Sequence, residues 1–335
     1  MPKHSVLIVG CGSIGERHLR CFLQCGRAEV TACDTNNSLL QNMVKEYGVS
    51  ACEDWKRAIN SGMFDAAVIC TPAPLHISMG LCALNAGVHV LIEKPLSHSL
   101  EGVTELLHAL DQSRGQAAVA YVFAVFPFLV AARAFLQQGE LGPIRHANVI
   151  SGQPFNRLRP GYAKTYYRDR STGGGAIQDA LTHSANWMES ILGPTESVLC
   201  DCAHLVLPDV TVEDTVQVSA RHGSALVSYT LNQFQAPNET TIQLHAARGS
   251  VKIEFHRQRW GVFREGETEW IWHETPVPNR DTHFTAQAIA FLDQIEGKPA
   301  RLCSLAAAAQ TLRFNLAALA SAAKGGRVFC RDLHA

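Results

Sequence analysis

The sequence predicts a two-domain chain: a parallel α/β sheet with helices on both faces, then an open-faced, mostly antiparallel α+β sheet with helices on one face. Three observations carry this. Over the first 120 residues, short apolar strands without polar alternation are separated by helical stretches, the pattern of a parallel sheet covered on both sides. A GxGxxG, Gly10-Cys11-Gly12-Ser13-Ile14-Gly15, joins the first strand to the first helix. Beyond about residue 140 the segments lengthen and alternate apolar with polar, as in a sheet with one wet face. The division is placed between residues 122 and 123, giving domains over 1–122 and 123–335.

In order, strands are expected at Val6–Val9, Val30–Cys33, Ala66–Cys70, Val88–Ile92 and Ala117–Tyr121. Helices fall between them at Ile14–Gln24, up to Tyr47, up to Ile59, at Leu75–Asn85 and at Leu100–Gln112. A connecting helix, Pro127–Gln138, stops at Gly139. The second sheet is expected from Ile144–Ser151, Ser197–Leu207, Thr215–Arg221, Ala225–Gln233, Thr240–Ala246 and Val251–Phe255. Glycine-bearing turns at 221–226 and 246–251 supply its hairpins. A helix over Gly175–Leu192 interrupts it, and Thr282–Glu296 and Leu305–Ala323 close the chain.

With 47% apolar and 18% charged residues in 335, there is material for a full core, and the low charge leans toward a large subunit interface. A net charge of -1 argues against nucleic acid or anionic lipid as partners. The eleven cysteines include no CxxC. Reduced cytoplasmic thiols are therefore expected, with no metal site and no disulfide. The apolar stretch at 117–132 is too short for a membrane span and is interrupted by Pro127.

The glycine loop gains meaning from its setting. It follows a strand, opens a helix, and is followed by Asp34 at the end of the next strand. That is the dinucleotide fingerprint of a Rossmann domain. Gly10 makes the turn, Gly12 admits the pyrophosphate, Gly15 packs helix on strand, and the amides around Ser13 and Ile14 face the phosphates. Asp34 accepts ribose hydroxyls and repels a 2′-phosphate; Thr35 and Asn36 bring no arginine to receive one. NAD is favoured over NADP.

Two further strand ends reach the same edge. Thr71-Pro72, with His76 just beyond, follows the strand at 66–70, and Glu93-Lys94-Pro95 follows the strand at 88–92. Ligands of open parallel sheets bind at carboxyl ends. Lys94 is thus aimed at the oxygen of the carbon that exchanges hydride, with Glu93 holding its orientation.

These motifs, with "AGVHV" at 86–90 and "GGGAIQDALTHSANW" at 173–187, resemble the glucose–fructose oxidoreductase, inositol dehydrogenase and MocA family over nearly the whole chain. The resemblance implies that Lys94 is the catalytic lysine and that Asp179 and His183 complete the site. The spacing agrees: residues four apart on a helix share a face. Histidine suits proton transfer near neutral pH. Ala73-Pro74 and the arginine-free "YVFAVFP" depart from many relatives. Tyr121, Arg157, Tyr162, Tyr167 and Arg168 are the expected substrate contacts; the last four share with Arg159 and Tyr166 a polar, aromatic loop before the glycines that is expected to cover the substrate.

The expected activity is hydride transfer between NAD and a secondary alcohol or ketone of a sugar, cyclitol or related polyol. Alternatives are an NAD-dependent glycosidase that oxidises its substrate transiently, and a non-catalytic nicotinamide-sensing protein. A homodimer or homotetramer packed through its sheets is expected from the resemblance.

Overall fold

The computed structural model describes residues 3–279 and 281–334. The chain forms two units, one of residues 1–125 with 278–309 and one of 126–277 with 310–335.

In the first unit, β1 (His4–Val9), β2 (Ala28–Cys33), β3 (Ser50–Cys52), β4 (Ala66–Ile69), β5 (His89–Ile92) and β6 (Ala117–Val119) form a parallel sheet in the order β3-β2-β1-β4-β5-β6. β4 is buried throughout, as are the last four residues of β1 and the last three of β5, so no alternation survives there. α1 (Ser13–Gln24), α2 (Asn37–Tyr47), α3 (Trp55–Ile59), α4 (His76–Asn85) and α5 (Val103–Gln112) make the crossovers. The strand order reverses direction between β1 and β4, the switch point where such sheets bind ligands. The helix Thr282–Ile295 also belongs here: Phe291 meets Phe22 of α1 edge-on at 6.4 Å, and Arg27 pairs with Asp293 at 2.8 Å. The division at 122/123 separates that helix from the surface it packs on, because the chain returns to the first unit after completing most of the second.

The second unit holds α6 (Pro127–Gln137), β7 (Ile144–Pro154), α7 (Phe155–Leu158), α8 (Thr182–Leu192), β8 (Ser197–Ala203), β9 (Thr215–His222), β10 (Ala225–Asn232), β11 (Phe234–Ala246), β12 (Gly249–Glu254), β13 (Arg259–Arg264), β14 (Ile271–Glu274) and β15 (Val328–Phe329). Its sheet runs β14-β13-β12-β11-β7-β10-β9-β8-β15. All pairs are antiparallel except β7 with β10. β9 and β10 alternate buried with exposed residues. On the buried face Tyr229 packs edge-on against Phe314 of the helix Leu305–Lys324 at 5.4 Å, and Phe135 of α6 lies 5.3 Å from Trp260. β13, β14 and β15 are additions to the sequence reading. Charged ends and a central glycine hide β13, whose Gly261 lies directly under the Trp272 ring; an added Cβ would sit 2.8 Å from it. Among the described residues no helix is long and apolar enough to cross a membrane.

Candidate active site

The glycine loop sits at the switch point. Gly10 ends β1 with φ +93°, and a Cβ there would meet Cys70 O at 2.8 Å. A Cβ on Gly15 would fall 1.7 Å from Gly10 O. Only glycine permits both approaches. Gly12 is the reverse case: it is exposed, with nothing within 4 Å of an added Cβ. It caps α1 without a side-chain hydrogen bond, so the first amides of the helix are not claimed by a capping side chain. An open glycine before an uncapped helix start fits a dinucleotide pyrophosphate. Asp34 stands beside it: Oδ2 accepts the Cys11 N–H at 2.6 Å and Oδ1 the Asn36 N–H at 2.8 Å. Each carboxylate oxygen has a further lone pair for a ribose hydroxyl.

Behind this edge lies a buried framework. His76 is 1% exposed; its Nδ1 lies 2.9 Å from Pro95 O and its Nε2 2.8 Å from Thr71 O. Burial lowers the imidazole's pKa against the pull of those carbonyls. His76 thus sits between the Thr71 loop and the segment after Lys94, its single N–H in the neutral form donating to one of these two carbonyls. Glu93 is likewise buried, taking His18 Nε2 at 2.7 Å on Oε1 and the Lys94 backbone N–H at 3.0 Å on Oε2. Burial opposes ionisation of Glu93, but these partners and the Lys94 charge hold its pKa below the usual value. Lys94 itself is half-buried and precedes a cis peptide to Pro95.

In the second unit, Asp179 and His183 occur where a single π-helical turn, Ile177–Leu181, runs into α8. Such turns recur at functional sites. Both residues are half-buried. The start of this helix is built by neighbours distant in sequence. Gly174 leaves no room for a Cβ against Tyr167 O at 2.4 Å, and Gly175, at φ +100°, none against Glu213 Oε1 at 2.5 Å. That same Glu213 oxygen accepts the Ile177 N–H at 3.1 Å, and Oε2 takes Arg170 Nη2 at 2.9 Å. Tyr166, exposed on its loop, donates to Asp179 Oδ1 at 2.6 Å. Behind the helix, Asn315 Nδ2 donates to the buried Thr182 Oγ1 at 2.9 Å.

Residues 4–121 match the family model described as "Oxidoreductase family, NAD-binding Rossmann fold", and 129–252 match "GFO/IDH/MocA C-terminal domain". The chain belongs to the GFO/IDH/MocA oxidoreductases. As a member of that family it is an NAD-binding oxidoreductase. It is 25% identical to inositol 2-dehydrogenase of Rhizobium meliloti over 329 residues, covering 94% of this chain and 93% of that protein. With "Uncharacterized oxidoreductase sll0816" of Synechocystis it is 29% identical, and there the match spans 50% of the relative's length and 55% of this chain. In fold it resembles a levoglucosan dehydrogenase solved with NADH and levoglucosan: TM-score 0.87, 20% identity, 98% of this chain and 99% of that one.

Against this family frame the expected residues sort unevenly. Gly10, Gly12, Ser13, Ile14, Gly15, Asp34, Thr71 and Pro72 line the carboxyl edge of the first sheet. His76 and Glu93 lie behind it as supports, because burial and backbone partners occupy their polar atoms. Tyr121 is fully buried. Tyr162 and Tyr167, expected to face substrate, instead form a small core with Phe155, Leu207, Val210 and Val212, and Tyr162 Oη donates to Pro208 O at 2.9 Å. Arg157 and Arg168 are exposed. Glu213 and His18 were missed, and Tyr166 was expected only as one residue of the loop over the substrate, not as a partner of Asp179. The eleven cysteines are free thiols, and burial pushes the Cys11 thiol in the glycine loop up to about 12.

Proposed function

We propose that this protein transfers hydride between NAD and a secondary alcohol or ketone of a sugar or cyclitol. Lys94 donates to the reacting oxygen and stabilises the negative charge that develops on it. His183 accepts the hydroxyl proton in the oxidative direction. Asp179, bonded by Tyr166, orients substrate and imidazole. NAD, when bound, supplies the hydride acceptor. The reading is carried by one observation: Lys94 leaves β5 at the sheet edge that also bears the open glycine loop, on a segment fixed by Glu93 and His76. The names inositol 2-dehydrogenase and levoglucosan dehydrogenase support the substrate class.

NAD is the preferred cofactor, since Asp34 repels a 2′-phosphate. The same reading makes the protein a cytoplasmic homodimer or homotetramer. The open sheet face displays Ile150, Leu199 and Leu226, and sedimentation of the purified chain as a monomer refutes assembly. The deciding experiment screens free sugars, inositols, sugar acids and sugar nucleotides with NAD and with NADP, read at the reduced-nicotinamide absorbance. Expected is turnover with NAD, and a narrowed preference in Asp34→Ala. Glycosidic cleavage without net absorbance change assigns redox-neutral chemistry instead; tight NAD binding with no turnover of any class assigns a sensor.

A further inference from the structure

The Glu93 carboxylate has a partner that the proposed reaction does not use. Glu93 is 5% exposed and His18, in α1, 0%. The two come from positions 75 apart and meet at 2.7 Å. His18 Nδ1 has no hydrogen-bond partner among the described residues, and an ionised Glu93 only accepts, so the proton is on Nε2, which donates to Glu93 Oε1. Phe284 packs on the imidazole edge-on, centroid to centroid 5.7 Å. Among the described residues, the ionisable groups facing Glu93 include His18 from α1, Cys70 just after β4, His76 from α4, and Lys94 beside it. Burial keeps the Cys70 thiol well above its usual pKa and His76 below its own. His18 hydrogen-bonds the carboxylate from its ring, opposite the Lys94 backbone N–H on the other oxygen. A buried carboxylate deprived of its donor takes up a proton rather than remaining charged.

We propose that His18 is a positioning residue for Lys94. By donating to Oε1 it keeps Glu93 ionised and turned so that Oε2 fixes the Lys94 backbone amide, setting both the place and the charge surroundings of the ammonium. This rests on the reading of Lys94 as the group that polarises the reacting oxygen.

The test compares His18→Leu, His18→Gln and Glu93→Gln with Lys94→Met and the parent protein. Infrared spectra with isotope-labelled glutamate, taken on the NAD-free protein at neutral pH, should show a protonated carboxyl in His18→Leu that is absent from the parent. His18→Gln, whose amide N–H can reach Oε1, should suppress it. Labelling of Lys94 by an amine reagent, followed by mass spectrometry across pH, should move to lower pH in His18→Leu and Glu93→Gln, because the anion favouring the ammonium is gone. With levoglucosan or myo-inositol as probe, His18→Leu should lower kcat by about 10²-fold at unchanged NAD affinity, the cost of a small misplacement of a reacting group. A folded His18→Leu with no carboxyl band and the parent's labelling curve overturns the proposal. If that variant does not fold, Glu93→Gln decides, and an unmoved labelling curve overturns it. Retained hydride transfer in Lys94→Met refutes the reading of the site instead, while the infrared result still reports on the His18–Glu93 pair.

Discussion

The two sets of candidate residues, one in each unit, are built on opposite plans. In the first unit the candidate groups lie in the short segments and helix starts that follow parallel strands, so neighbours in sequence serve one edge. In the second, Asp179 and His183 depend on a loop of short 3-10 turns and on Glu213, which is 36 residues from the Ile177 amide it caps. Strand ends are positioned by the sheet, so a short motif suffices. A π-turn preceded by irregular backbone is positioned by side chains from elsewhere, so its supports are scattered. The lesson is that local motifs report function well only where regular structure does the positioning.

The largest expected effect tests whether the two plans serve one reaction. Lys94→Met keeps length and apolar stem but removes the donor. Hydride transfer should fall by about 10² to 10³, the usual loss for one preorganised donor, with folding and NAD binding intact. His183→Ala should lower it by about 10² to 10⁴, less at high pH where hydroxide substitutes. Acting on one oxygen, the two should not add. Single-turnover rates decide, and strictly multiplicative losses would separate the two sets of residues.

How much could be read beforehand follows from the same contrast. The parallel sheet, the glycine loop, Asp34 and Lys94 were legible because each strand is short, continuously apolar and closed by its own motif. His18 was not, since its partner is 75 residues away and a histidine on a helix has many bland explanations. The second sheet was legible where alternation is clean, as in β9 and β10, and not in β13 and β14. In the loop before the helix, 3-10 turns impose no hydrophobic period. Nothing local tells Tyr162 and Tyr167, which turn inward, from Tyr166, which reaches Asp179.

Next in size is the anchoring of the loop that carries Leu207 and Val210 into that small core. Asp214 is fully buried and accepts backbone N–H groups of Leu205, Val206 and Leu207 at 3.0, 2.7 and 2.8 Å, with Thr215 Oγ1 at 2.9 Å. Burial alone would raise its pKa; the three amides and the hydroxyl outweigh it and hold it below the usual value. A depressed carboxylate contributes stability above its unfolded pKa and loses it as the pH falls through the folded one. Acid sensitivity from this group should therefore appear below about pH 4. Asp214→Asn turns an amide donor toward backbone donors and should cost about 1.5–3 kcal/mol at neutral pH. Denaturation curves of parent and variant should converge in acid; a constant gap would assign the loss to shape rather than charge.

Tyr166→Phe sharpens the contrast within the aromatic loop. It removes the hydrogen bond to Asp179 Oδ1 while keeping the exposed ring. The expected loss in kcat is about tenfold, or roughly 1.4 kcal/mol, with the melting temperature unchanged. An equal fall in thermal stability would make Tyr166 a loop fastener rather than a working partner of Asp179.

The smallest effects lie in its two inward neighbours. Tyr162 Oη donates to Pro208 O at 2.9 Å, so Tyr162→Phe strands a carbonyl and should cost about 1 kcal/mol. Tyr167 is 1% exposed, its ring 4.4 Å from that of Phe155. Burial, with Asp179 and Glu213 nearby, raises its pKa. Gln233 lies near the phenol, yet neither Tyr167 Oη nor Gln233 Nε2 completes a hydrogen bond among the described residues. Removing a buried hydroxyl that lacks a partner is neutral or slightly stabilising. Tyr167→Phe should therefore leave both melting temperature and kcat at parental values while Tyr162→Phe lowers the first alone. A clear drop in kcat for Tyr167→Phe would show that the phenol meets substrate after all, and would move it from the core of the loop to the working face that the sequence assigned to it.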